Sequence, residues 1–263
     1  MISISFFGFA HVAFELAYIR KNLSEKIPFQ FLILIMGLLL ILVLVRSLNL
    51  ITPIPNMLAI EITILVSLLL GSLYFTARLS VAILLVLFCL GFLCNPYILL
   101  FCLAFLHNLT PWGFLHLQKC AGKAWVMFLV NPLLVFILAL NHTIDPYFFL
   151  PAQSSVYLSH YLLLPKLTAL NFAFFAAAVY LQLIHYYCVL RVLPKLSSSP
   201  IVINKCQIFL FALIGFLFLV FFKQTKPIYG IVALFHAYLE IPLLLYLLVA
   251  EKKSSTHLIQ LPN

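Results

Sequence analysis

Two segments of the chain repeat one spacing of imidazole and carboxylate, His11-Val-Ala-Phe-Glu15 and His236-Ala-Tyr-Leu-Glu240. On a helix, residues four apart share a face one turn apart, so each pair presents its nitrogen and oxygen donors together. Such a pair ligates one metal ion, or its glutamate orients a ligating histidine by accepting the second ring N–H, or the two neutralise each other. His107 and His185 add two more imidazoles in apolar surroundings. An ionisable group in such surroundings must find a partner, a cavity or an ion. His11, Glu15, His107, His185, His236 and Glu240 are therefore the expected metal or proton-handling set, with Glu15 and Glu240 as the expected catalytic carboxylates. Imidazole and carboxylate suit iron, zinc or manganese better than thiolate-seeking metals. Inward-facing Glu and His on helix bundles also build di-iron carboxylate sites.

The elements that position these residues are apolar. The 263 residues are 65% hydrophobic and 8% charged, with a mean hydropathy of +1.20, far from the balance of a soluble domain. Runs of roughly 20 apolar residues, long enough to cross about 30 Å of hydrocarbon, recur along the chain. Breaks at Pro, Asn and charged residues predict nine helices, over 3–19, 29–50, 57–77, 80–94, 97–108, 124–141, 167–190, 206–222 and 228–249. The fold class expected is an all-α integral membrane helix bundle, with one transmembrane domain over 1–253 and a short polar tail over 254–263. The stretch 80–108 reads as one long helix or as two short ones broken at Asn95-Pro96.

Charge separates these two readings. With two helices there and the N-terminus outside, the inner side collects Arg20, Lys21, Lys26, Arg78, Lys119, Lys123, Arg191, Lys195, Lys205, Lys252 and Lys253. Arg46, Lys166, Lys223 and Lys226 fall toward the outer side. This asymmetry follows the positive-inside rule, so the expected topology is nine spans, N-out and C-in. The formal charge of +9 comes from basic residues set singly or in pairs between apolar runs. It therefore marks topology, and nucleic acid is not an expected partner. The N-terminal stretch lacks a basic n-region and a small-residue cleavage site and carries His11 and Glu15, so it reads as a mature helix.

Other features carry less. Cys89, Cys94, Cys102, Cys120, Cys188 and Cys206 form no close C-x-x-C pair, and most fall in apolar runs, so buried thiols are expected rather than disulfides or a zinc site. The loop 142–166 is rich in aromatic and Pro residues, including Pro146, Tyr147, Phe148, Phe149, Pro151, Tyr157 and Tyr161, and reads as an interfacial segment or a lid. Gln182, Tyr186 and Asn108 neighbour the histidines and suit supporting hydrogen bonds or ordinary helix contacts. Glu61 and His107 stand near span ends, where contact with headgroups or water would account for them; His116, Lys119 and Lys123 read as solvated. Asn131-Pro132 and Pro242 are expected kinks, and Ala176-Ala177-Ala178 a close helix approach. No P-loop, G-x-G-x-x-G, G-x-S-x-G or H-E-x-x-H motif is present. That weakens nucleotide-driven transport, dinucleotide chemistry and metalloproteolysis.

One histidine on each of four membrane helices, His11, His107, His185 and His236, resembles the Brp/Blh family, membrane enzymes that look like non-haem iron oxygenases cleaving β-carotene to retinal. The resemblance covers the span count and the four-histidine arrangement, and it implies that these histidines are iron ligands. The expected function is a metal-dependent membrane oxidoreductase or oxygenase acting on a lipophilic substrate that enters from the bilayer. Two alternatives stay open: a proton-coupled transporter using the same His and Glu residues, and a single-haem electron-transfer protein with axial histidines.

Overall fold

The computed structural model describes residues 2–141, 168–197, 201 and 204–258. Among them the chain forms helices and turns and no strand: α1 (Ile2–Asn22), α2 (Phe29–Ile51), α3 (Met57–Thr76), α4 (Leu79–Cys94), α5 (Pro96–Asn108), α6 (Thr110–Leu117), α7 (Val126–Leu140), α8 (Ala169–Leu196), α9 (Lys205–Val220) and α10 (Phe222–Leu258). Each expected helix has a counterpart. Asn95 divides 80–108 into two helices, because Pro96 offers no N–H and disfavours helical geometry at the residue before it. The eight-residue α6 was not expected from the sequence; its Pro111 stands in the first turn, where a missing N–H does no harm. The loop 142–166 lies outside the described residues. Helix α10 continues through Leu258, so the expected polar tail begins as helix.

Two proline positions widen helices rather than break them. Pro132 and Pro194 each follow a π turn, in which the Asn131 N–H donates to the Val126 carbonyl and the Leu193 N–H to the Cys188 carbonyl, five residues back. A proline ring collides with the carbonyl four residues earlier, and the wider turn moves that carbonyl aside. Local side chains start α8 and α9. Thr168 Oγ1 accepts from the Asn171 N–H, and Asn204 and Gln207 form a reciprocal capping box.

Packing puts α10 in the middle. It touches α1, α2, α3, α5, α6 and α9, while α8 lies between α7, α5 and α1. On α2, Phe31, Ile35, Leu39 and Leu42 are buried along one face, the three-and-four spacing of a helix stripe. The opposite face leaves Phe29, Leu44 and Ile51 bare, and α4 does the same with Leu79 and Leu93. Ala173 and Ala177 are buried on α8, where their small side chains let α7 approach. Four helical stretches, Phe29–Ile51, Met57–Thr76, Ala169–Leu196 and Gln224–Ala250, are long and apolar enough to cross a membrane. The cysteines are free, but only Cys188 is buried; Cys94, Cys102, Cys120 and Cys206 are exposed. An apolar run therefore did not imply burial here, since much of each run faces out of the bundle.

Candidate metal centre

The six expected residues come together where α1, α5, α8 and α10 meet. Helix α1 supplies His11 and Glu15, α8 supplies His185, and α10 supplies His236 and Glu240. His107 comes from the last turn of α5. All are buried except His107, whose side chain is 12% exposed. The imidazoles pack ring against ring, with centroids 4.8 Å apart for His11–His236, 5.2 Å for His11–His185, 4.7 Å for His107–His185 and 4.5 Å for His107–His236. One donor atom from each of the four histidines lies within 4.8 Å of the others, and so does one from each of Glu15, His236 and Glu240. His236 belongs to both groups.

The helices fix two tautomers. His11 Nδ1 lies 3.1 Å from the Phe7 carbonyl and His236 Nδ1 lies 2.9 Å from the Ala233 carbonyl. A carbonyl only accepts, so each Nδ1 carries the hydrogen and each neutral ring leaves Nε2 as a lone pair. These two Nε2 atoms stand 3.2 Å apart. Two lone pairs at that distance repel unless a proton or a cation lies between them. Around them, Glu15 Oε2 is 3.4 Å from His185 Nε2 and 3.6 Å from His236 Nε2, and Glu240 Oε1 is 3.9 Å from His236 Nε2. Two ligands on an ion with bonds of about 2.1 Å sit roughly 3.0 Å apart at a right angle and roughly 3.4 Å apart at the tetrahedral angle. The shorter separations match ligands of a common ion.

The remaining polar atoms argue the same way. Among the described residues, seven buried side-chain polar atoms have no hydrogen-bond partner, and six belong to this cluster: both oxygens of Glu15, Oε1 of Glu240, Nδ1 of His107 and both ring nitrogens of His185. One such atom costs about 1–3 kcal/mol. A cation at the cluster would satisfy those of these atoms that face it, one ring nitrogen of His185 among them, and their chemistry fits one.

Sequence reasoning missed the residue that holds the α5 end of the site. Thr110 Oγ1 lies 2.7 Å from the His107 carbonyl and 2.8 Å from Glu240 Oε2; its single hydrogen goes to one of these oxygens, and the hydroxyl joins both when Glu240 Oε2 carries a proton and donates it to Oγ1. His107 Nδ1 is 3.1 Å from the same Glu240 oxygen. His107 therefore sits at a break between two helices with its side chain only 12% exposed. A break of this kind frees backbone groups that need side-chain partners or a cavity.

Such a cavity, of about 280 Å³, adjoins the cluster and is lined by His11, His107 and His236. Asn108, Gln182 and Tyr186 line it too, and Gln182 donates to the Tyr186 hydroxyl at 3.0 Å. Tyr186 in turn packs over the His11 ring, with centroids 4.4 Å apart. Glu61 differs from expectation. It is buried, paired with Arg46, and accepts from the Tyr238 hydroxyl at 2.8 Å; a single glutamate near the start of α3 gave no sign that α2 and α10 would close over it. No protein-family model, curated protein or solved structure matches this chain.

Proposed function

We propose that the chain is an integral membrane protein, with nine spans running N-out to C-in, whose His/Glu cluster holds a transition-metal centre for an oxidoreductase or oxygenase acting on a lipophilic substrate. The observation that carries the proposal is the pair of Nε2 lone pairs on His11 and His236, set 3.2 Å apart by Nδ1–H bonds that the helix backbones impose. Exposed apolar rows on α2 and α4 support the membrane setting, since soluble monomers seldom expose apolar patches of that extent.

His11, His107, His185 and His236 would hold the ion, and Glu15 and Glu240 would complete its shell or set the basicity of the histidines. The hard-to-borderline donor set favours iron, zinc or manganese. A redox-active ion such as iron, when bound, would supply oxidation chemistry with dioxygen as the co-substrate. The chain's own part is to keep water out of a site whose carboxylates are fully buried, to hold Glu240 through Thr110, and to admit substrate through the cavity beside His107. A haem between His11 and either His185 or His236, or between His107 and either of them, is disfavoured by the ring packing, because centroids 4.5–5.2 Å apart leave no slab for a macrocycle.

Metal analysis and an absorbance spectrum on detergent-purified protein test the reading. The expected result is stoichiometric transition metal with no Soret band, lost on His185→Ala. Protein without stoichiometric metal, but with pH-gradient-driven uptake in vesicles that Glu240→Gln abolishes, would replace the enzyme with a proton-coupled carrier using a shared proton between the imidazoles.

A further inference from the structure

Contacts between the helices fix which way each one runs past the cluster. Phe9 packs on Tyr229 with ring centroids 5.3 Å apart and His11 meets His236, so α1 and α10 run parallel. Phe31 packs on Tyr246, whereas Arg46 reaches Glu61, which accepts from Tyr238, so α2 runs the other way. One face of the bundle therefore holds the starts of α1, α3 and α10 and the end of α2. The cavity lies toward that face: among the described residues, α10 lines it from Tyr229 to Tyr238 and no further, and α1 lines it through His11 alone. Arg46 stands five residues before the end of α2 and Glu61 four after the start of α3, a rise of about 6–8 Å. The Arg46 side chain is 29% exposed. Asn108, Gln182, Tyr186 and Tyr229 add polar atoms to the wall, and about 280 Å³ has room for several waters.

The other side of the cluster is filled. Glu15, His185 and Glu240 do not line the cavity. Beyond them Tyr18, Phe114, Val189, Leu193, Leu243 and Leu247 are each no more than 3% exposed and belong to one apolar core. Helix α6 closes this end. Gly113 lies so close to Leu244 that a Cβ there would collide with it, Phe114 packs on Tyr18 with centroids 5.9 Å apart, and the Gln118 amide donates to the Tyr18 hydroxyl at 2.9 Å. From Glu240 to Leu247 this plug is about 10 Å deep. A hydrated cation crossing it would shed its water with no partner to replace it. We infer that the ion of the centre enters and leaves through the cavity, from the face where α1 and α10 begin, and that α6 bars it from the opposite face, an assignment that rests on the metal-centre reading and names the side that supplies its ion. Charge leaves the route open, because Arg46 and Glu61 cancel each other on the cavity wall.

Cys120 is exposed and marks the opposite face, since it follows Gln118, whose amide reaches Tyr18 on the plug side of Glu15. Ala233→Cys puts a thiol on the cavity wall. In reconstituted vesicles, a membrane-impermeant cationic methanethiosulfonate is applied from either side, and peptide mass spectrometry reads modification at the substituted position and at Cys120. Modification of the variant should come from the side that leaves Cys120 untouched and be lost from the Cys120 side. Metal-stripped wild type should regain its ion from a transition metal supplied on that first side with EDTA on the other, and fail to regain it when the two are exchanged. Modification from the Cys120 side or from neither side, or reloading from the Cys120 side, would each overturn the inference. One-sided modification in a protein that takes metal from neither side would support the sided route and refute only the metal centre.

Discussion

Replacing Glu15 with glutamine should stabilise the protein when it is stripped of metal, and added metal should cancel most of that gain. Glu15 is fully buried, and neither of its oxygens has a hydrogen-bond donor. In protein stripped of metal, the variant removes a buried charge that costs several kcal/mol and gains an amide N–H. That N–H can donate to the Nε2 atoms of His185 or His236, whose distances from Oε2 are 3.4 and 3.6 Å. The stripped variant should therefore be more stable than stripped wild type by about 2 kcal/mol or more, a rise in melting temperature of roughly 2–4 °C per kcal/mol. With metal present that advantage should largely vanish. A neutral amide is a poor ligand and a poor partner for a ligating imidazole, so affinity should fall about 10–100-fold, or about 1.4–2.7 kcal/mol. Melting curves in detergent, with chelator and with a titrated transition metal, measure both arms. Equal destabilisation of the variant in both states would mean that Glu15 only packs, and the common-ion argument would fail with it.

Other perturbations probe separate parts of the same structure. His236→Ala should abolish stoichiometric metal, since His236 belongs to both ligand groups, whereas His107→Ala, at the partly open edge, should leave a measurable fraction; the opposite order in elemental analysis would contradict this assignment. Thr110→Val removes the hydroxyl between the His107 carbonyl and Glu240 and should cost about 1–3 kcal/mol, seen as a lower melting temperature with α5 and α6 otherwise intact. Cys120 is exposed in the turn after α6 and lies on the inner side in the proposed topology. A membrane-impermeant maleimide should label it in inverted but not right-side-out vesicles, and labelling in the reverse pattern would invert the orientation.

The helices and the residues of the His/Glu cluster were legible in the chain because both follow from local rules. An i,i+4 His and Glu pair shares a helix face whatever surrounds it, and apolar runs bounded by Asn95-Pro96 or Asn204 mark helix ends by the stereochemistry of those residues. Hydrocarbon-like surroundings also made six ionisable residues stand out, and the structure gathers all six. What the sequence could not contain was the partner of each polar atom, which depends on helices brought together from far along the chain. Nothing in the sequence singled out Thr110 before α6 carried it to Glu240, and Glu61 read as a span-end residue in contact with headgroups or water until α2 brought Arg46 and α10 brought Tyr238 to it. The exposed cysteines make the same point in reverse, because an apolar run records a preference for leaving water and not which neighbour, protein or lipid, each face will meet. The tautomers of His11 and His236 needed both levels: their own helices set the Nδ1–H bonds, and only the approach of α1 to α10 turned the remaining lone pairs toward each other.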